Sequence, residues 1–173
     1  MSETQPRRDH PAGSVSPGQT APQSVPYDLI ELLFFAYRDF VGGPDLILAE
    51  YGFGRAHHRV LHFVLRRPGL TIAELLDILK ITKQSLNRVL KELVETGFVE
   101  QRTGVQDKRQ RHLHATLAGQ DLALRLVQIQ SKRINDALGQ LAPEAAEIVS
   151  RYLAGLIDPP ERHKVRSFLA APR

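Results

Sequence analysis

Over residues 83 to 94 the chain interleaves two kinds of side chain at helical spacing. Leu86, Val89, Leu90, Leu93 and Val94 share one side when successive residues are turned by about 100°. Gln84, Arg88 and Lys91 share the other, flanked by Asn87, with Lys83 and Ser85 at the amino-terminal edges. The outward set suits the edges of DNA bases: a Gln or Asn carboxamide pairs in bidentate fashion with adenine and an Arg with guanine, in a groove that admits a helix. Lys83 and Lys91 suit phosphates, as does the positive end of the helix. An ordinary solvated helix face also carries Gln, Arg and Lys, so these residues take their meaning from what surrounds them.

A second group lies a short way downstream. Asp107-Lys108-Arg109-Gln110-Arg111 sits in a polar stretch, Thr103 to Gln110, between two short runs with strand character, Phe98–Arg102 and Arg111–Ala115. An arginine at a hairpin tip can enter a minor groove, whose narrow walls concentrate negative potential. Asp107 is a poor choice for touching DNA but a good one for orienting Arg109 or Arg111 through a charge-assisted bond. Lys108, Arg109 and Arg111 are thus the expected wing contacts, with Asp107 behind them.

Two N-caps position the first group. Thr71-Ile72-Ala73-Glu74 is a capping box, with Leu70 and Leu75 at the staple positions, and starts a helix running to about Leu79. Thr82 supplies the hydroxyl for a second start, with Ile81 and Leu86 as its staple, and Gly97 closes that helix. Two capped helices joined by a turn of about three residues form a helix-turn-helix. With the basic hairpin directly behind it, the segment reads as a winged helix. An earlier helix over residues 53–66 stops at Arg67-Pro68-Gly69.

The expected organisation is mainly α with a small β-hairpin wing. Residues 1–26, rich in Pro, Ser and Gln, read as a disordered tail in which Arg7 and Arg8 are more simply solvated than DNA-bound. Residues 27–52 hold a helix over 28–41 that is apolar on nearly every face, ended by Gly42-Gly43-Pro44, and a linker. One small domain cannot cover such a helix on all sides, so a second copy of the chain is the natural cover. Residues 53–116 are the DNA-binding domain. Residues 117–157 carry a long helix capped by Thr116, running to about Leu138, and another starting near Pro143. Residues 158–173 are a tail that can hold a short helix over Glu161–Leu169. From Phe53 to Thr116 there are twelve basic and six acidic side chains, an excess of six, against an excess of four for the whole chain. A basic domain in a near-neutral remainder is the charge distribution of a phosphate binder.

Several classes of function fall away. With no cysteine there is no disulfide, thiolate metal site or thiol switch. No apolar run approaches the roughly 18 residues of a membrane span and no secretory signal is visible, so a cytoplasmic protein without membrane association is expected. No nucleophile elbow, phosphate loop or dinucleotide fingerprint is present, so neither an enzyme nor a bound cofactor is expected. His57, His58 and His62 crowd one helix. His58 and His62, four apart, have a spacing that can bind metal, yet no carboxylate or cysteine nearby in sequence completes a site, and none is expected. The three are structural or solvated, or they line an effector pocket. His112 and His114 share one face of the wing strand, facing DNA or solvent. A winged helix used only for protein–protein contact is the competing reading, and the basic recognition face argues against it.

The order and spacing of these motifs resemble the MarR family of bacterial regulators: Leu93-Val94-Glu95-Thr96-Gly97-Phe98-Val99 at the end of the recognition helix, Asp107-Lys108-Arg109 in the wing, and Ala115-Thr116-Leu117-Ala118-Gly119 after it. Ala115 departs mildly from the larger aliphatic residue usual there. The resemblance covers about residues 28–157. It implies a homodimer built from the first and last two helices, with two recognition helices in successive major grooves of a pseudo-palindromic operator. It also implies a repressor more often than an activator, commonly released by a small acidic or phenolic ligand bound between the dimer lobe and the DNA-binding lobe.

Overall fold

The computed structural model describes residues 26–104 and 110–171. The expectations for Arg7, Arg8, Asp107, Lys108 and Arg109 lie outside the described residues. Within them the order is α1 (Tyr27–Ala49), α2 (Arg55–Arg66), β1 (Leu70–Thr71), α3 (Ile72–Leu79), α4 (Lys83–Glu95), β2 (Val99–Thr103), β3 (Arg111–Ala115), α5 (Leu117–Leu138), α6 (Ala145–Leu156) and α7 (Pro159–Ala170). The architecture is the expected one, mostly helical with a small antiparallel sheet.

The local signals form as read. Thr71 Oγ1 accepts from the Glu74 amide at 3.2 Å, and the Glu74 carboxylate accepts from the Thr71 amide at 2.8 Å, so the capping box is complete. Thr82 Oγ1 accepts from the Ser85 amide at 3.1 Å. Gly97 takes φ +79°, a left-handed conformation that suits glycine after a helix. In the three-residue turn between α3 and α4, Lys80 takes the left-handed conformation itself, at φ +50°, at the end of α3.

Three elements depart from the sequence reading. First, α1 does not end at Gly42-Gly43-Pro44 but continues through them to Ala49. Pro44 leaves one helical hydrogen bond unmade, a defect of about 3 kcal/mol in an isolated helix. Packing against α5 offsets it: Val41, Pro44 and Leu48 are buried, and a Cβ on Gly43 would come within 2.9 Å of Ile129 Cγ2. Second, the hairpin is part of a three-stranded sheet of order β1-β3-β2, in which Leu70 pairs with Leu113 and Gln101 with Leu113 on the other side. Two residues are too short a strand to show periodicity. Third, Val94 is exposed rather than on the buried side of α4. The core runs from Leu48 on α1 through Val60, Leu61 and Val64 on α2 to Leu86, Leu90 and Leu93 on α4 and Leu122 and Leu126 on α5. It anchors α4 from behind, leaving its polar face outward.

Candidate nucleic-acid interface

On α4, Leu86, Val89, Leu90 and Leu93 are buried, while Lys83, Gln84, Ser85, Asn87, Arg88 and Lys91 are exposed. The amphipathic split therefore places all six expected α4 contacts outward. Ser85 is partly committed, since its Oγ accepts from Thr82 Oγ1 at 2.9 Å as part of the cap. Lys91 lies 3.7 Å from Glu95 one turn on, a loose exposed pair that a phosphate can displace.

The wing is framed by an antiparallel ladder from Val99↔Ala115 to Thr103↔Arg111, prolonged by the Gly104 amide donating to the Gln110 carbonyl at 3.0 Å. Arg111 is exposed at the root of the wing, where its guanidinium donates to Thr103 Oγ1. Asp107, Lys108 and Arg109 fall outside the described residues.

Charge counting overstates the DNA-facing excess. Arg55 pairs with Asp45 at 2.8 Å, and Arg59 donates to the Leu79 carbonyl at 3.0 Å, closing the end of α3. Lys80 lies 2.8 Å from Asp77 and 3.2 Å from Glu161. Arg67 donates to the Phe168 carbonyl, and Arg102 pairs with Glu100. These five cations are committed within the protein, and the partners of Arg55, Arg59 and Arg67 lie ten or more residues away, where no local spacing marks them. Among the described residues, Lys83, Arg88 and Lys91 on α4 and Arg111 on β3 remain exposed.

The three α2 histidines separate. His57 is buried, stacked on Phe53 with ring centroids 4.6 Å apart. Its Nδ1 accepts from the Gly54 amide at 3.1 Å and its Nε2 lies 2.7 Å from Glu92 Oε2, so the ring ties the start of α2 to the recognition helix and both nitrogens are occupied. His58 and His62 turn away from it. Burial pushes both imidazoles below their ordinary value of 6.5; His62 adds to the effect at His58, opposed by Asp45 and Gln130, and Arg66 adds to it at His62. Among the described residues no group of three or more His, Cys, Asp or Glu side chains is arranged to hold a metal. His112 is half-buried, and its Nδ1 lies 2.8 Å from the Gly69 carbonyl, bracing the turn before β1.

A histidine held neutral by burial stabilises the fold above its ordinary value and opposes it below, because the unfolded chain then binds the extra proton. The melting temperature is therefore expected to fall as pH drops below 6.5, toward the lowered folded values. A His58→Gln, His62→Gln variant should show a flatter decline over that window. Parallel pH–melting curves for the two proteins would contradict this assignment.

The comparisons with known proteins fall on the same elements. A sequence profile of the MarR family matches residues 51–110. The chain is 47% identical over 133 residues to the HTH-type transcriptional regulator PetP of Rhodobacter capsulatus, covering 77% of this chain and 80% of that protein. Similar solved structures include Streptococcus pneumoniae FabT in complex with DNA, at TM-score 0.66 and 17% identity over 75% of this chain and 93% of that one. Another is NadR in complex with 4-hydroxyphenylacetate, at TM-score 0.62 and 21% identity over 82% of this chain and 97% of that one. No helix among the described residues is long and apolar enough to cross a membrane.

Proposed function

The chain belongs to the MarR family of transcriptional regulators, and from that premise we propose that it acts in the cytoplasm as a homodimeric repressor of a pseudo-palindromic operator. The single observation that carries this is the outward polar face of α4, with Gln84, Asn87 and Arg88 exposed above buried Leu86, Val89, Leu90 and Leu93. Two such helices related by a two-fold axis would enter successive major grooves about 34–36 Å apart. Lys83 and Lys91 neutralise phosphates, Arg88 reads a base, and the wing reaches the adjacent minor groove through Lys108, Arg109 and Arg111. FabT in complex with DNA and NadR in complex with 4-hydroxyphenylacetate share this fold, which supports DNA as the partner and a small molecule as a second ligand.

The decisive experiment selects bound sequences from random DNA and measures affinity for the winner against salt. A DNA-binding protein of this kind loses affinity steeply, with a slope set by the number of phosphate contacts. A winged helix serving only protein contacts would select no sequence at all. Arg88→Ala should weaken operator binding by about 1–3 kcal/mol and relax preference at one symmetric pair of positions. An unchanged preference in a repeated selection would remove Arg88 from base reading. Arg109→Ala should weaken binding by a similar amount, about 1–3 kcal/mol, and leave the dimer intact by sedimentation. Unaltered affinity in that variant would take the wing out of the mechanism.

A further inference from the structure

Helix α7 lies against α2 and α3 of its own chain, beyond the segment that carries the family resemblance. The Arg67 guanidinium stands 4.3 Å over the Phe168 ring, Phe63 meets the same ring edge-on at 5.5 Å, and Arg67 also donates to the Phe168 carbonyl. Lys164 reaches Asp77 at 3.1 Å, and Lys80 reaches Glu161 at 3.2 Å. Between these contacts a cavity of about 450 Å³ stays open. The helix is therefore held at discrete points, and Phe168 is the aromatic anchor among them. None of its described residues is buried or belongs to the hydrophobic core, so its docking is separable from the folding of the domain beneath it.

The other end of α7 is joined to α6 with little slack. Only Ile157 and Asp158 separate the two helices, and Pro159 and Pro160, whose rings fix φ, open α7. Arg162 donates from Nε to the Ile157 carbonyl and from Nη2 to the Gly155 carbonyl, both at 2.8 Å, which closes the end of α6. On α6, Ile148, Tyr152, Leu153 and Leu156 are exposed, an apolar surface of the kind a second copy of the chain would cover. Helix α7 thus links that surface to α2 and α3, and α3 leads through a three-residue turn into α4. The other attachment of the long helices to this lobe uses different residues, Leu48 of α1 and Leu122 and Leu126 of α5. A reading head held along one such line can rock about it; a second line of support removes that freedom.

We propose that α7 is a strut that fixes how the two recognition helices of the dimer stand relative to one another, with Phe168 determining which half-site spacing the protein accepts. The inference rests on the dimeric, DNA-binding reading proposed above. One base pair more or less between half-sites shifts one of them by about 3.4 Å and turns it by about 34–36°. A stiff dimer then loses its second contact, whereas a loosened one recovers it by rocking.

The chain has no cysteine, so Glu95→Cys, at the exposed last residue of α4, accepts one nitroxide per subunit. Pulsed dipolar spectroscopy across the dimer should give one narrow distance in this parent protein. Phe168→Ala, and separately Lys164→Glu, which sets a carboxylate against Asp77, should broaden it. In the unlabelled protein, a selected operator should be preferred over versions one base pair longer or shorter by about tenfold or more, and Phe168→Ala should reduce that preference to about threefold or less. Affinity for an isolated half-site should be unchanged, a result that a misfolded domain would not give. A narrow distance that survives both substitutions, or a spacing preference that survives Phe168→Ala, would overturn the strut alone. A parent protein with no dipolar signal, or one that selects no two-fold site, would overturn the underlying dimer or operator reading and the strut with it.

Discussion

Gly119→Ala is expected to destabilise the DNA-binding domain by roughly 3 kcal/mol, near the top of the range for overpacking. A Cβ at residue 119 would stand 1.9 Å from the Phe98 carbonyl oxygen and 2.9 Å from its carbon. Both are backbone atoms, so no rotamer change relieves the clash. The same carbonyl accepts from the Thr116 amide at 3.1 Å, and the Phe98 amide in turn donates to Leu93 at the end of α4. Thr116 Oγ1 donates to the Gly97 carbonyl at 2.6 Å and accepts from the Gly119 amide at 3.1 Å. Moving residue 119 away therefore breaks the cap of α5, and moving Phe98 away shifts β2 against the recognition helix. For a chain of this length the melting temperature should drop by roughly 6–12 °C, at about 2–4 °C per kcal/mol. Leu117→Ala is the control two residues away: Leu117 is 80% exposed, and its loss should cost no more than about 0.5 kcal/mol. A Gly119→Ala protein that melts with the Leu117→Ala control would mean the close approach of α5 to Phe98 is not required.

That glycine shows where sequence is informative and where it is silent. Thr116 is legible as a cap because its partner is the amide three residues on, within the reach of a local pattern. The same holds for Thr71 with Glu74 and for Thr82 with Ser85. The burial of Leu86, Val89, Leu90 and Leu93 was likewise readable, since helical spacing encodes which side of α4 faces the core. What could not be read depends on partners distant in the chain. His57 meets Glu92 thirty-five positions later, Arg59 meets Leu79, and Arg67 meets Phe168. Each looks in sequence like a member of a histidine cluster or a basic patch. Pro44 and Gly43 likewise carry a strong local stop signal that the contact of α1 with α5 overrides. The candidate DNA face was legible because it is defined by one helix and one hairpin. The cavity under α7 was not, because α2, α3 and α7 each supply part of it.

Leu33→Glu should break the proposed dimer and weaken binding to the proposed operator by roughly 10²- to 10⁴-fold, the avidity lost when two linked half-sites become independent. From Tyr27 to Asp39 every residue of α1 is exposed in the single chain, including Leu32, Leu33, Phe34, Phe35 and Tyr37. On α6, Ile148, Tyr152, Leu153 and Leu156 are exposed as well. A soluble monomer seldom carries so continuous an apolar surface, whereas a two-fold interface would cover it with the same surface of a second copy. Each substitution is then felt twice. A Leu side chain leaving a buried interface forfeits about 1.5–3 kcal/mol, and an unpaired carboxylate put in its place adds a desolvation penalty. Folding is coupled to association in such chains, so the melting temperature should fall with dimer content and rise with protein concentration. Phe34→Glu serves as the second variant on the same face, with Leu46→Glu, also exposed on α1 but beyond this run, as a site at which a smaller effect is expected. Sedimentation and operator titration read the two consequences separately. A Leu33→Glu protein that remains dimeric would place the subunit contact elsewhere; one that is monomeric yet binds the operator with unchanged affinity would remove the need for two recognition helices.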